Sequence, residues 1–107
     1  MGIITDIVSI REKIKNGEYE LTLHTIKRCD SKNLLLEEIE QVLAKGKVIE
    51  EYPDDKPFPS CLIMDFVRSC LPLYVVCAFS GEKAYIITAH WLDPTKWLDP
   101  WTRREKI

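Results

Sequence analysis

No apolar run in this 107-residue chain approaches the ~20 residues that a membrane-spanning helix needs. Neither sign of charge dominates: fifteen Lys and Arg stand against seventeen Asp and Glu, a net charge of −2, so no global field draws the chain to nucleic acid or anionic lipid. Any such contact has to be a local patch. The four cysteines, Cys29, Cys61, Cys70 and Cys77, include no CxxC pair and none of the spacings of a zinc site. They are expected on a helix, two strands and a turn, as reduced thiols of a cytoplasmic protein, since disulfides are rare in that compartment. The first residues lack a basic segment followed by an apolar block, so no signal peptide is expected. There is no domain-scale repeat and no low-complexity stretch. No metal or other cofactor is expected.

What is present is enough apolar material, 46% of residues, for one core in one domain. The chain is organised around Pro72 to Trp91, two runs rich in Val, Ile, Tyr and Phe joined across Ser80-Gly81-Glu82-Lys83, a hairpin signal. Simple alternation places Ala84, Ile86, Thr88 and His90 on one face of the second strand and Tyr85, Ile87, Ala89 and Trp91 on the other. Neither set is plainly polar, so the hairpin is expected at the centre of its sheet with both faces covered.

Upstream, Ile7, Val8, Ile10 and Ile14, with Ile3 and Ile4 before them, recur at helical spacing up to the stop signal Asn16-Gly17. Glu18 to Leu23 reads as a short extended piece or as the lead-in to the next helix. From Leu23 to about Asp30 a second helix carries His24, Lys27 and Arg28 on a polar stripe, with His24 and Arg28 four apart on one face. A third helix, Leu34 to Lys45, is expected to bury Leu35, Leu36, Ile39, Val42 and Leu43, to expose Glu37, Glu38, Glu40 and Gln41, and to end at Gly46. Lys47 to Tyr52 reads as an edge strand, because Glu50, Glu51 and Pro53 suit no central position. Three prolines between Pro53 and Pro59 make a stiff loop displaying Asp54, Asp55 and Lys56. Cys61 to Val67 is the next strand, with Leu62, Met64 and Phe66 opposite Ile63 and Val67.

After Trp91 the composition shifts to DPTKWLDPWTRREKI, a Trp- and Pro-rich tail over residues 92–107 that packs back on the body. The class expected is α+β: two to three N-terminal helices on one face of a three- to four-stranded antiparallel sheet. The tail or a partner has to cover the other face.

The run Tyr19-Glu20-Leu21-Thr22 leading to His24-x-x-x-Arg28, then GKVIEEYPDDKPFPSCLIM, PLYVVCAF, Ile86-Ile87-Thr88 and the closing DPTKW resembles a bacterial domain of unknown function, family number forty-two fifty-eight. Its members look like distant relatives of the RelE-type ribonuclease toxins, and many are paired with a small zinc-finger protein similar to the antitoxin of the MqsR system. The resemblance therefore implies a RelE-like fold and a toxin component acting on RNA, with a zinc-finger antitoxin as partner. The chain departs from the family pattern where Arg28-Cys29 is followed by Asp30 to Leu34 without a second arginine. It departs again at His90, where a tyrosine often stands.

Metal-independent RNA cleavage needs a base for the 2′-hydroxyl, an acid for the 5′-oxygen and cations on the phosphate. His24 and His90 are the candidate proton-transfer groups, imidazole being suited to neutral pH, and Arg28 the candidate bidentate phosphate contact. Lys27, Lys56, Arg68, Arg103 and Arg104 are candidate substrate contacts, the last two beside Trp97 and Trp101, whose rings suit base stacking. The same residues admit a bland reading: His24 capping or bonded to backbone at the helix start, Arg28 paired with Glu20 or a strand carboxylate, Asp54 and Asp55 as turn residues, Arg68 and Lys56 as surface charges, the tryptophans as a clamp. A non-catalytic interaction module, forming a homodimer or binding a partner through its sheet face, is the alternative function.

Overall fold

The computed structural model describes residues 7–103. Helix α1 (Ile7–Lys15) buries Ile10 and Ile14, leaves Val8 exposed, and stops where Gly17 takes a φ of +74°, a left-handed conformation that glycine adopts without cost. Ile3 and Ile4 lie outside the described residues. Strand β1 (Tyr19–Leu21) follows, then helices α2 (Leu23–Ser31) and α3 (Leu36–Lys45). Strands β2 (Lys47–Tyr52), β3 (Ser60–Val67), β4 (Leu71–Phe79) and β5 (Ala84–Trp91) form the main body, and a small ribbon of β6 (Trp97–Asp99) and β7 (Thr102–Arg103) ends it.

The sheet runs β1-β5-β4-β3-β2. The four strands from β2 to β5 are the expected antiparallel meander with β2 at its edge, but β1 adds a fifth strand, parallel to β5. The helices therefore do not all precede the sheet, and the sheet is larger than the sequence suggests. Three residues carry too little pattern to declare a strand. β1 is fixed by its ladder to Ala84–Ile86, by a 2.7 Å ion pair from Glu20 to Lys83, and by a hydrogen bond from the Tyr19 hydroxyl to Glu40.

One face of the sheet packs on the helices through an aliphatic core containing Ile39, Val42, Leu43, Ile63, Val75 and Ile86. The other holds a smaller cluster of Leu62, Met64, Tyr74 and Trp97, with Trp97 supplied by the tail. Cys61 and Cys77 face each other in register inside β3 and β4, and none of the four cysteines, all among the described residues, is in a disulfide. Burial pushes the Cys77 thiol up to about 12, as expected of an inert core group.

Two expectations about faces are reversed. On β5 the register slips opposite Val76 and Cys77, which pair with Thr88 and Ile86 and leave Ile87 unpaired. This bulge shifts the alternation by one residue. Ala89 and Trp91 join Ala84 and Ile86 on the helix side, while Thr88 and His90 pair with Val76 and Tyr74. On α3, Leu35 and Leu36 are exposed and Glu38 is buried. Leu35 is the cap residue outside the first turn, where its N–H donates to Glu38 Oε1 at 3.1 Å, and Leu34 fills the core in its place. Gly46 ends α3 as expected, for a packing reason. A Cβ there would sit 2.5 Å from the Val42 carbonyl oxygen and 2.7 Å from that of Met64. No helix among the described residues is long and apolar enough to cross a membrane.

Candidate active site

β1 covers the edge of β5 only as far as Ile86, and beyond that point α2 takes its place. Thr22, the N-cap residue of α2, accepts from the Thr25 N–H and donates its hydroxyl to the Ile87 carbonyl at 2.8 Å. The Thr25 hydroxyl donates to the Ile86 carbonyl at 2.9 Å, and Arg28 Nε to that of Ala89 at 3.1 Å. Trp91 Nε1 returns a bond to the Lys32 carbonyl at 3.0 Å. Side chains of the helix thus occupy the carbonyls that a sixth strand would use, and they hold α2 along the last turn-length of β5.

That docking creates a cleft of about 320 Å³ between α2, the end of β5 and the tail. His24, Arg28 and His90 all line it, together with Thr88, Asp93 and Lys96. Trp91, Trp97 and Arg103 complete its lining. His24 is exposed at the rim, and Arg28 is half-buried. Neither of the partners considered for Arg28, Glu20 or a strand carboxylate, is bound to it. Its Nε is committed to the β5 backbone, which fixes the guanidinium while leaving its terminal nitrogens without a partner among the described residues.

His90 sits deeper. Its ring stacks on Tyr74 at 5.4 Å and 9°, and Tyr74 stacks in turn on Trp97 at 4.7 Å and 25°. The Arg103 guanidinium lies 4.4 Å from the Trp97 ring centre and is bound by Glu50 through two bonds of 2.9 and 3.0 Å. The Tyr74 hydroxyl donates to the Pro100 carbonyl at 2.6 Å, which locks the tail over the stack. Burial first, then the charges of Arg28, Lys96 and Arg103, hold the His90 imidazole below its usual range, so it is neutral at neutral pH. Asp93 works weakly in the other direction. Its own carboxyl is lowered by bonds from the Thr95 hydroxyl and N–H, at 2.6 and 2.9 Å, so it stays ionised beside the cations. Three cations and one carboxylate line a cleft in a chain of net charge −2.

The other predicted contacts lie elsewhere. Arg68 is bound by both oxygens of Glu38, at 2.6 and 2.9 Å, donates to the Asn33 carbonyl and lies 5.0 Å from the Trp91 ring centre. It serves the β3–β4 turn, not the cleft, because a buried carboxylate needs a fixed cation. Lys27 lines a shallow depression on the far side of α2 with Ile26 and Asp30, and Lys56 lies in the proline-rich loop. Arg104 is outside the described residues. Of the tail tryptophans, Trp97 is buried as a clamp, whereas Trp101 remains half exposed, edge-on to Phe66. Thr88, Asp93 and Lys96 were not singled out from sequence. The Asp93-Pro94-Thr95 turn was the available signal for the last two. Among the described residues, no group of three His, Cys, Asp or Glu side chains is placed to hold a metal ion.

The model of one family, described as a domain of unknown function (DUF4258), matches residues 21–91. The chain belongs to the DUF4258 family. Its DUF4258 span carries His24, Arg28, Thr88 and His90, while Asp93, Lys96, Trp97 and Arg103 come from the tail beyond the match. The resemblance read from sequence extended to Asp93–Trp97, and the matched DUF4258 segment stops short of it at Trp91. No curated protein and no solved structure matches the chain.

Proposed function

We propose that this DUF4258 protein is a RelE-like endoribonuclease, the toxin component of a toxin–antitoxin pair, and that the cleft between α2, β5 and the tail is its active site. The observation that carries the reading is the convergence of His24, Arg28 and His90, from two separate elements, on one cation-lined cleft. A scissile phosphate seated there meets the free end of the Arg28 guanidinium and the Lys96 ammonium, which favour the extra charge of the transition state. His90, held neutral, accepts the proton of the 2′-hydroxyl. The 2′-oxygen bonds to phosphorus as the bond to the 5′-oxygen breaks, and His24 gives that oxygen its proton. The products are a 2′,3′-cyclic phosphate and a 5′-hydroxyl. Arg103, tied to Glu50 and Trp97, shapes the wall and adds to the field on His90.

The family resemblance supports a cytoplasmic setting and a zinc-finger antitoxin as partner. Growth of a host expressing the chain, beside one expressing His24→Ala, is the test, with total RNA from both mapped for new ends. Inhibition and new ends with the parent alone are expected. Equal growth and no new ends from soluble parent protein would reject the reading. The rival reading, an interaction module acting through an open sheet face, is weakened on one of its grounds where Trp97 packs over Leu62, Met64 and Tyr74 on that face.

A further inference from the structure

We propose that the pocket beneath the proline-rich loop is a nucleobase subsite, holding a base of the RNA strand whose phosphate occupies the cleft. The proposal rests on the ribonuclease reading for the identity of the strand, and it adds what reads that strand.

The pocket, about 390 Å³, is walled by Pro57, Phe58, Tyr85 and Ile87, with Thr22 and Lys56 at its margin. Phe58 and Tyr85 lie nearly parallel, 5.6 Å apart at 14°, so a third flat ring can extend an existing stack. A void of this size suits one small ring system. The charged side chains that line it are Lys56 and Asp55, the Thr22 hydroxyl being already bonded to the Ile87 carbonyl. They supply both donors and an acceptor for the edge of a base, groups that an acyl chain would leave unused. Asp55 is already oriented, accepting from the Ser60 hydroxyl at 2.6 Å and from the Lys56 N–H at 3.1 Å. Prolines 53, 57 and 59 restrict the loop that carries Phe58, so ordering it on binding costs little.

The position relative to the cleft decides the occupant. Thr22 and Ile87 line the pocket, while His24 and Thr88, their near neighbours on α2 and β5, line the cleft. Tyr85 and His90 stand five residues apart on one strand, roughly 16 Å at ~3.3 Å per residue before the bulge shortens it. One nucleotide chain can therefore touch both sites. Sequence-specific recognition of single-stranded RNA works in this way, with splayed bases stacked on aromatic rings and bonded along their edges.

Two titrations test the subsite with the full chain. The four ribonucleosides, which carry no phosphate, are added while the ring signals of Phe58 and Tyr85 are followed by NMR. A fluorescent single-stranded RNA, made uncleavable by 2′-O-methylation, is then bound to the parent, Phe58→Ala, Phe58→Leu and Arg28→Ala. At least one nucleoside should shift both rings, and both Phe58 variants should bind the oligonucleotide roughly 5- to 150-fold more weakly, the loss expected for one stacked base. Phe58→Leu keeps apolar volume, so a loss shared by both variants reports the ring and not the fold. No ring shift with any nucleoside, together with parent-like binding by both variants, would overturn the subsite even if Arg28→Ala loses RNA. Ring shifts without any oligonucleotide binding would uphold a base-binding pocket and overturn the reading of the cleft.

Discussion

The two faces of the sheet are built from different materials. Toward the helices, Ile39, Val42, Leu43, Ile63, Val75 and Ile86 make an aliphatic core, and the buried polar side chains beside it, Thr25 and Glu38, are engaged in hydrogen bonds that hold the helices in place. Toward the tail, aromatic rings carry the contact, and their edges are polar: Tyr74 bonds to Pro100, Trp97 lies under Arg103, and His90 stacks at the end of the series. The first face holds the fold together. The second combines modest packing with a cleft and a pocket, because rings can fill space while leaving donors and charges at the surface. Stability and proposed chemistry are therefore separable by mutation.

The largest effect is expected where the two meet. Trp97→Ala removes the clamp of the tail and should cost about 3–5 kcal/mol in urea unfolding, the range for a buried Trp. Because Lys96 and Arg103 are released with it, RNA cleavage per folded molecule should fall as well. Ile39→Ala, on the helix side, should cost about 2–5 kcal/mol by the same measurement and leave cleavage per folded molecule at the parent value. Equal loss of cleavage in the two variants would erase the distinction between the faces.

Glu38→Ala should cost about 1–3 kcal/mol by urea unfolding, with little effect on cleavage, since it removes the acceptor of Arg68 and of the Leu35 N–H, neither of which lines the cleft. The bond from Arg68 holds the Glu38 carboxyl below its usual range, so this contribution is present above the ordinary carboxylate value and is lost as pH falls through the folded one. A parent whose unfolding midpoint stays flat down through the carboxylate range would contradict it.

The smallest effect sharpens the electrostatics of the cleft. Lys96 is one of the cations that keep His90 neutral, so Lys96→Ala should let the imidazole rise toward its ordinary value. The acid limb of the kcat/KM profile, where neutral His90 is lost, should then move to higher pH. A limb that stays in place would remove His90 from the proton transfer. For stability the sign is the same: the unfolded chain takes up the proton first, so the stability linked to neutral His90 is lost as pH falls through the folded value.

What was legible in the sequence follows how local each signal is. The meander from β2 to β5 was readable because Gly81, Pro53 and the β-branched runs declare turns, an edge and strands within a few residues of themselves. Tyr19–Leu21 was readable only as an extended piece or a helix lead-in, and its place beside β5 was not, since that depends on a partner some 65 residues on. The bulge at Ile87 carries no glycine to mark it, and it alone decides that Thr88 and His90 face the cleft. Glu38 looked like solvent because its partner, Arg68, lies thirty residues away. Within the site, the helical spacing put His24 and Arg28 on one face. Their meeting with His90 depends on α2 continuing the edge that β1 begins, and Asp93 and Lys96 join only because Trp97 anchors the tail.

Incubation of the purified chain with single-stranded RNA, with product ends identified and His90→Ala and Arg28→Ala run beside it, bears most directly on the cleft. The parent should release fragments ending in 2′,3′-cyclic phosphate, each variant should be slower by roughly 10²- to 10⁴-fold, and a single 2′-deoxy substitution at the cut should stop cleavage there. Intact RNA after incubation with folded parent protein, or fragments formed equally well by both variants, would mean that the convergence of His24, Arg28 and His90 serves something other than RNA cleavage.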